Sequence, residues 1–125
     1  MEAQAPSRKL TTHQQAVLIQ VLLAFPEQRV GIEHCDWADA PGYARDFLTI
    51  FNAVRWDVAE LGARKETGAC ASGLAIVVRG EDLPPAAEAL RDALRIYAIE
   101  VETLCDSERK MAADEFVFSV GAVLQ

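Results

Sequence analysis

One pattern constrains the fold of this 125-residue chain more than any other, because it occurs twice at a constant offset. Each copy reads as a strand, a loop, an amphipathic helix and a second strand. Phe47 in the first helix corresponds to Leu90 in the second, and residues 56–58 correspond to residues 99–101. A strand–helix–strand unit forms a right-handed crossover between parallel strands. The repetition therefore predicts an α/β domain made of two βαβ-like halves.

The first half begins with a predicted strand at residues 29–35. Asp39 and Pro41 suit the cap and first turn of the helix that follows. The apolar residues of this helix recur at spacings of three and four, which is the amphipathic signature, and they are Tyr43, Phe47, Ile50, Phe51 and Val54. A strand at residues 56–58 completes the half. Residues 62–73 are small and polar, which is typical of a flexible connector.

The second half begins with a continuous apolar run from Leu74 to Val78, typical of a strand buried on both faces. Asp82 with Pro84 suits the start of a third helix. The predicted inner face of this helix is Leu90, Ala93, Leu94 and Tyr97. A strand at residues 99–101, a charged loop at 106–113 and a last strand around residues 116–120 follow.

An additional helix is predicted ahead of the two halves. Thr12 and Gln15 form a capping-box pattern that opens a helix running to about Phe25, where Pro26 stops it. Residues 1–8 are predicted to be a loose tail, and residues 9–125 a single domain. The two halves would share one mostly parallel sheet of about four or five strands.

Charge and hydropathy exclude two classes of partner. The net charge is -7, from 19 acidic and 12 basic side chains, and the best basic clusters are only the pairs 64–65 and 109–110. Such a surface repels a phosphate backbone, so nucleic-acid binding is not expected. The strongest apolar segment, residues 16–25, is half the length of about 20 residues that a membrane span needs. Direct membrane insertion is therefore not expected either.

The targeting and cysteine patterns predict a cytoplasmic protein. The first eight residues are polar and lack the apolar core of a secretory signal. The three cysteines, Cys35, Cys70 and Cys105, are widely spaced and contain no C-x-x-C pair. This usage predicts reduced thiols that act as small buried hydrophobes.

The candidate ligand site lies in the loops that follow the first and third strands. In an open parallel sheet, ligands bind beyond the carboxyl ends of the strands. The residues placed there are His34, Asp36, Trp37, Asp39, Arg79 and Glu81. Carboxylates with a histidine and a cysteine would suit a divalent cation, although the spacing matches no established metal motif, so no metal or cofactor is predicted. Alternatively, Asp39 and Asp82 are only helix caps and Trp37 only covers the sheet.

Two catalytic arrangements are disfavoured. His34 and Cys35 are adjacent on a strand, so their side chains point to opposite faces and do not form a nucleophile–base pair. Residues 62–73 contain glycines and a basic pair but match no phosphate-binding motif, and they lead into a strand instead of a helix.

The first helix is so apolar that part of it is predicted to mediate self-association. The candidate homodimer interface consists of Val17, Leu18, Val21 and Leu22. Alternatively, the helix is fully buried against the rest of its own chain.

A series of short motifs occurs in order along the chain: Gln14-Gln15, Leu22-Leu23, Phe25-Pro26, Val30-x-Ile32, Tyr43-Ala44-x-x-Phe47, Trp56-x-Val58 and Phe118-Ser119-Val120-Gly121. With these motifs the chain resembles a small bacterial α/β domain of uncharacterised function that often follows N-terminal transmembrane helices. The resemblance spans about residues 10–121. The chain differs by lacking a membrane segment and by having Arg55 where that family often has glycine. Because these are core and turn positions, the resemblance implies a fold and assigns no catalytic residue.

These observations favour a non-catalytic, dimeric protein-interaction or regulatory module, with a protein partner of unknown identity. The alternative is a domain that binds a small ligand or a divalent metal, and that could be an enzyme, through the loops after the first and third strands. A third hypothesis is that it acts in trans on a membrane protein.

Overall fold

The computed structural model describes residues 8–35, 39–64, 73–80, 82–106, 112 and 114–121. The elements in chain order are α1 (Thr12–Leu22), β1 (Arg29–Cys35), α2 (Ala40–Ala53), β2 (Asp57–Arg64), β3 (Leu74–Val78), α3 (Pro85–Ile96), β4 (Val101–Cys105) and β5 (Phe116–Val120). The predicted α/β domain, with two βαβ-like halves and an additional N-terminal helix, is confirmed.

The five strands form one mixed sheet in the order β2-β1-β5-β3-β4. β1 runs parallel to β2 on one side and to β5 on the other, and β3 runs parallel to β4. Among the strands described, β3 and β5 form the one antiparallel pair. The two halves therefore run in opposite directions, and β5 joins them through the middle of the sheet.

One hydrophobic core fills the space between the helices and one face of the sheet. It contains buried residues of the three helices described together with strand residues, most of which alternate along the inner strands. The strand residues in this core are Val30, Ile32, Cys35, Leu74, Ile76, Val78, Val101, Phe116, Phe118 and Val120. Because α1 contacts both α2 and α3, the helices form one continuous layer. The predicted inner positions of α2, from Tyr43 to Val54, are all buried.

Aromatic rings form the centre of this core. The ring centroids of Phe47 and Phe118 are 4.5 Å apart, and Phe51 stacks on Trp56 at 5.3 Å. The indole Nε1 of Trp56 donates a hydrogen bond of 2.8 Å to the carbonyl oxygen of Phe25. The prediction that Trp56 is a core residue is confirmed, and its one polar atom is satisfied.

The opposite face of the sheet carries a smaller apolar cluster. Val77 and Val117 are both buried and lie side by side in neighbouring strands. Gly31 is the next residue in this row, and a Cβ atom there would lie 3.0 Å from Leu61 Cδ1 and 3.2 Å from Val117 Cγ2. Glycine therefore allows Leu61 to cover the middle of this face.

The start and end of α1 differ slightly from the prediction. The capping box uses Thr11 and Gln14, one residue earlier than expected, with Thr11 Oγ1 accepting from the backbone N–H of Gln14 at 3.0 Å. Both positions 11 and 12 are threonine with glutamine three residues later, so the pattern fitted either. The helix ends at Leu22, and turns lead from there to Pro26.

The second strand of each half also differs from its predicted position. β2 continues to Arg64, so it includes the beginning of the predicted connector; residues 65–72 lie outside the described part of the chain. β4 begins at Val101, where the predicted strand ended. In α3 the N-cap is Pro84, so Asp82 precedes the helix and does not cap it.

The N-terminal segment is fixed to the domain at Arg8, so the predicted loose tail does not include this residue. Arg8 makes an ion pair with Asp39, and its guanidinium also donates to the carbonyl oxygen of Gly121. Residues 1–7 lie outside the described part of the chain.

Candidate functional site

The carboxyl ends of β1 and β3, which precede the two loops predicted to form one ligand site, lie at opposite ends of the sheet. Val78, the last residue of β3, pairs with Phe116 of β5, and Phe116 pairs on its other side with Val30 near the start of β1. Arg79 therefore lies at the end of the sheet where β1 begins, whereas His34 lies at the end where β1 finishes. Convergence required β1 and β3 to be parallel neighbours, and they are not, because β5 lies between them and β3 runs antiparallel to β5.

Of the remaining predicted ligand residues, only Asp39 is among those that the structure describes. Asp36, Trp37 and Glu81 lie outside the described residues. The carboxylate of Asp39 accepts two hydrogen bonds from the guanidinium of Arg8, at 2.8 and 2.9 Å, and makes no side-chain hydrogen bond to the helix it precedes. Asp39 thus occupies the N-cap position, but its carboxylate is used to hold Arg8.

A pocket of about 260 Å³ lies between α2 and the paired strands β1 and β2. Its helical wall is one stripe of α2, with residues at positions i, i+3, i+4 and i+7. Its floor consists of alternate residues of the two strands. The lining residues are Ile32, His34, Pro41, Ala44, Arg45, Leu48, Glu60 and Gly62.

The irregular pairing of β1 with β2 shapes the floor of this pocket. Ile32 pairs with Glu60, but the next residue of β1, Glu33, pairs with Gly62, so Leu61 is an extra residue in β2. Such a bulge bends the strand and redirects its side chains. Gly62 has a φ of 77°, a conformation that favours glycine, and no side chain fills this part of the pocket.

His34 presents one ring nitrogen that the described protein leaves unused. Its Nδ1 lies 2.8 Å from the carbonyl oxygen of Cys35. A carbonyl oxygen only accepts, so Nδ1 carries the proton. In the neutral ring, Nε2 is then a hydrogen-bond acceptor on the half-buried side chain of a pocket residue.

Arg45 and Glu60 place opposite charges around the same pocket. Arg45 projects from α2 and Glu60 from β2, and both side chains are exposed. Within the described residues, neither charged group makes an ion pair or a side-chain hydrogen bond. The pocket thus combines a cation, a carboxylate and an imidazole acceptor with apolar walls.

A thiol nucleophile beside His34 is excluded by the state of Cys35. This cysteine is fully buried and disulfide-bonded, whereas Cys105 is free and exposed. Of the prediction that the cysteines are reduced and buried, the burial is confirmed for Cys35 and the free thiol for Cys105, whereas the reduced state is wrong for Cys35 and the burial is wrong for Cys105.

A metal site also lacks support in the described residues. They contain no group of three or more histidine, cysteine, aspartate or glutamate side chains close enough to hold an ion. In the pocket, His34 and Glu60 are the only residues of these types.

The predicted interface on α1 is partly inside the domain. Leu18 and Leu22 are fully buried in the chain's own core, so they cannot contact a second copy. Val17 and Val21 are half-buried. The alternative, that α1 packs against its own chain, describes Leu18 and Leu22 correctly, because α2 and α3 both contact this helix.

None of the helices described has both the length and the apolar character needed to cross a bilayer.

The chain matches no protein-family model, no curated protein sequence and no solved structure. The resemblance to the bacterial α/β domain therefore stays a prediction.

Proposed function

We propose that this protein is a non-catalytic domain that binds a small molecule in the pocket between α2, β1 and β2. The pocket carries the proposal, because Arg45, Glu60 and the Nε2 atom of His34 surround it without partners among the described residues. Small-molecule sites typically combine apolar walls with a few such polar groups.

The position of the pocket supports the proposal. It lies toward the carboxyl end of the parallel pair β1–β2, where α/β proteins usually bind ligands. Pro41, in the first turn of α2, is part of its wall, so the positive end of the helix dipole is nearby. Of the residues that the sequence singled out for a ligand site, His34 is the one that lines this pocket.

The size of the pocket limits the ligand. Its volume of about 260 Å³ is just below the range of about 300–1,000 Å³ that is typical of drug-sized ligands. A nucleotide or a larger cofactor is therefore a poor fit, and a small metabolite is a good one.

A thermal-shift screen of the purified protein against small carboxylic acids, amines, amino acids and sugars tests this proposal. A compound present at about 100 times its dissociation constant adds about 2.7 kcal/mol to the free energy of unfolding, a shift of several degrees. Ala44→Leu should abolish the shift, because it places a larger side chain in the pocket. Absence of any stabilising compound, or equal stabilisation of the Ala44→Leu variant, would contradict the proposal.

The protein-interaction hypothesis remains a separate proposal. Leu23 and Ile96 are exposed, with 51% and 80% of their surface accessible. However, His13 at the start of α1 contacts Tyr97 just after α3, so Ile96 lies near the opposite end of α1 from Leu23. The two do not form one patch. Measurement of the mass in solution decides whether the chain self-associates, and a monomer at working concentrations would reject the homodimer.

A further inference from the structure

We infer that the ligand of this pocket is a small α-amino acid with an aliphatic side chain, bound as a zwitterion. The inference rests on the proposed function and adds the chemical class of the ligand. It follows from the placement of Arg45, Glu60 and His34 around apolar walls.

The charges indicate a ligand with both signs. Arg45 offers a guanidinium, which binds carboxylates through two parallel hydrogen bonds. Glu60 offers a carboxylate on the strand side of the same pocket, and it makes no ion pair with Arg45. A ligand with a single charge would be attracted by one of these groups and repelled by the other. A zwitterion matches both.

His34 adds a second acceptor for an ammonium group. Its Nδ1–H donates a hydrogen bond to the carbonyl oxygen of Cys35, so Nε2 of the neutral ring can only accept a hydrogen bond. An ammonium group has three donors and no acceptor. Nε2 of His34 and the carboxylate of Glu60 would each accept a hydrogen bond from one of those donors.

The apolar walls indicate the side chain of the ligand. Ile32, Pro41, Ala44 and Leu48 provide hydrocarbon surface on both the strand side and the helix side. The limited volume favours a short aliphatic group. Leucine and valine combine this group with both charges.

Calorimetric titration of the full chain with L-leucine and two analogues that each lack one charge tests the inference. The analogues are 4-methylpentanoate, which lacks the ammonium group, and 3-methylbutylamine, which lacks the carboxylate. Each should bind at least about tenfold more weakly than leucine, because a charged group of the site is left without a partner.

Two variants should then change specificity in opposite directions. Arg45→Gln should weaken leucine binding by at least about tenfold, whereas 3-methylbutylamine should bind at least as tightly as before, because the guanidinium that repels its ammonium group is gone. Glu60→Gln should weaken leucine and the amine but not 4-methylpentanoate. Arg95→Gln and Glu102→Gln are the matched controls, since both residues are exposed and lie outside the pocket. They should bind leucine as the wild type does.

His34→Asn tests the third polar group. The asparagine amide can still donate to the Cys35 carbonyl, but the Nε2 acceptor is lost. Leucine and 3-methylbutylamine should bind more weakly, and 4-methylpentanoate should not.

The outcomes separate the inference from the proposed function. If 4-methylpentanoate binds as tightly as leucine, or if the two charge variants do not affect binding, the zwitterion inference is wrong. If no amino acid binds, but another compound stabilises the wild type and does not stabilise the Ala44→Leu variant, the inference fails and the proposed function stands. If no compound binds at all, both fail.

Discussion

The guanidinium of Arg8 and the carboxylate of Asp39 form a bidentate ion pair, with Nε 2.8 Å from Oδ2 and Nη2 2.9 Å from Oδ1. The backbone N–H of Arg8 donates to the same carboxylate at 2.8 Å, and its Nη2 also donates to the carbonyl oxygen of Gly121. The guanidinium lies over the ring of Tyr43, with Cζ 4.7 Å from the ring centroid. One arginine thus connects the segment before α1, the start of α2 and the end of β5.

Removal of either member of this ion pair should destabilise the fold. The side chains of Arg8 and Asp39 are only 21% and 5% exposed, so Arg8→Gln should lower the free energy of unfolding by about 2–4 kcal/mol. Arg8→Lys should have an intermediate effect, because it keeps the positive charge and loses the bidentate hydrogen bonds. Urea denaturation measures both, with Arg95→Gln as the exposed control. An effect of Arg8→Gln no larger than that of the control would show that the pair does not hold the segment in place.

The buried hydroxyl of Tyr43 should make stability depend on alkaline pH. Burial raises the pKa of Tyr43 above its usual value of 10.0; Asp46 and Asp39 raise the pKa further, and Arg8 lowers it. The folded protein therefore holds this proton more tightly than the unfolded chain. Its contribution to stability is complete below about pH 10 and is lost as the pH rises through the folded-state pKa.

The measurement is a series of urea denaturations from about pH 9 upward, for the wild type and for Tyr43→Phe. The wild type should lose more stability above about pH 10 than the variant, because the variant has no hydroxyl at this position. Parallel curves for the two proteins would contradict the raised pKa.

The local elements could be predicted from the sequence because their signals are local. The apolar spacing of α2 and the run from Leu74 to Val78 gave the correct element types, and the repetition gave the two βαβ halves. The direction of the second half relative to the first could not be predicted from local signals, because it depends on β5 inserting between β1 and β3. Nothing near Phe116 in the sequence indicates which strands it will pair with.

The candidate site was predicted only in part for a related reason. His34 was assigned to the loop after the first strand; it lies within β1, next to its last residue, and it does line the pocket. Arg45 and Glu60 were not identified, although Arg45 shares a helical stripe with Pro41 and Leu48. Each is an exposed charge in a regular element, which usually means a solvated surface. Their functional interest arises only from the crossover that brings α2 over β2.

Gly31 should be sensitive to a larger side chain, because Leu61 and Val117 already occupy the space around it. Gly31→Val should lower the free energy of unfolding by about 1–3 kcal/mol. Leu61→Ala in the same chain should recover part of this loss. Gly42 in α2 is the control: a Cβ there would contact nothing within 4 Å, so Gly42→Ala should stabilise the helix by about 0.5–1 kcal/mol. Equal effects at the two glycines would refute the close packing at Gly31.

The two described cysteines should differ in chemical reactivity. Without reduction, alkylation of the unfolded chain should modify Cys105 and leave Cys35 unmodified, and peptide mass spectrometry measures this directly. Cys35→Ala should lower the free energy of unfolding by about 2–4 kcal/mol, and reductant should lower that of the wild type similarly. Cys105→Ala is the control, expected to change stability by less than about 0.5 kcal/mol. Full alkylation of Cys35 in unreduced protein would show that the disulfide does not form, and would restore the expectation of reduced thiols.

The central position of β5 has a consequence for how the molecule folds. β1 and β3 share no hydrogen bonds with each other, so the two βαβ units become one sheet only when a strand later in the chain enters between them. Until then each unit has an unpaired inner edge, and such edges are prone to pair with other molecules. The entry of β5 requires contacts between distant parts of the sequence, which form slowly. We therefore expect the insertion of this strand to set the folding rate, and the interval before it to be when the chain is most prone to aggregate.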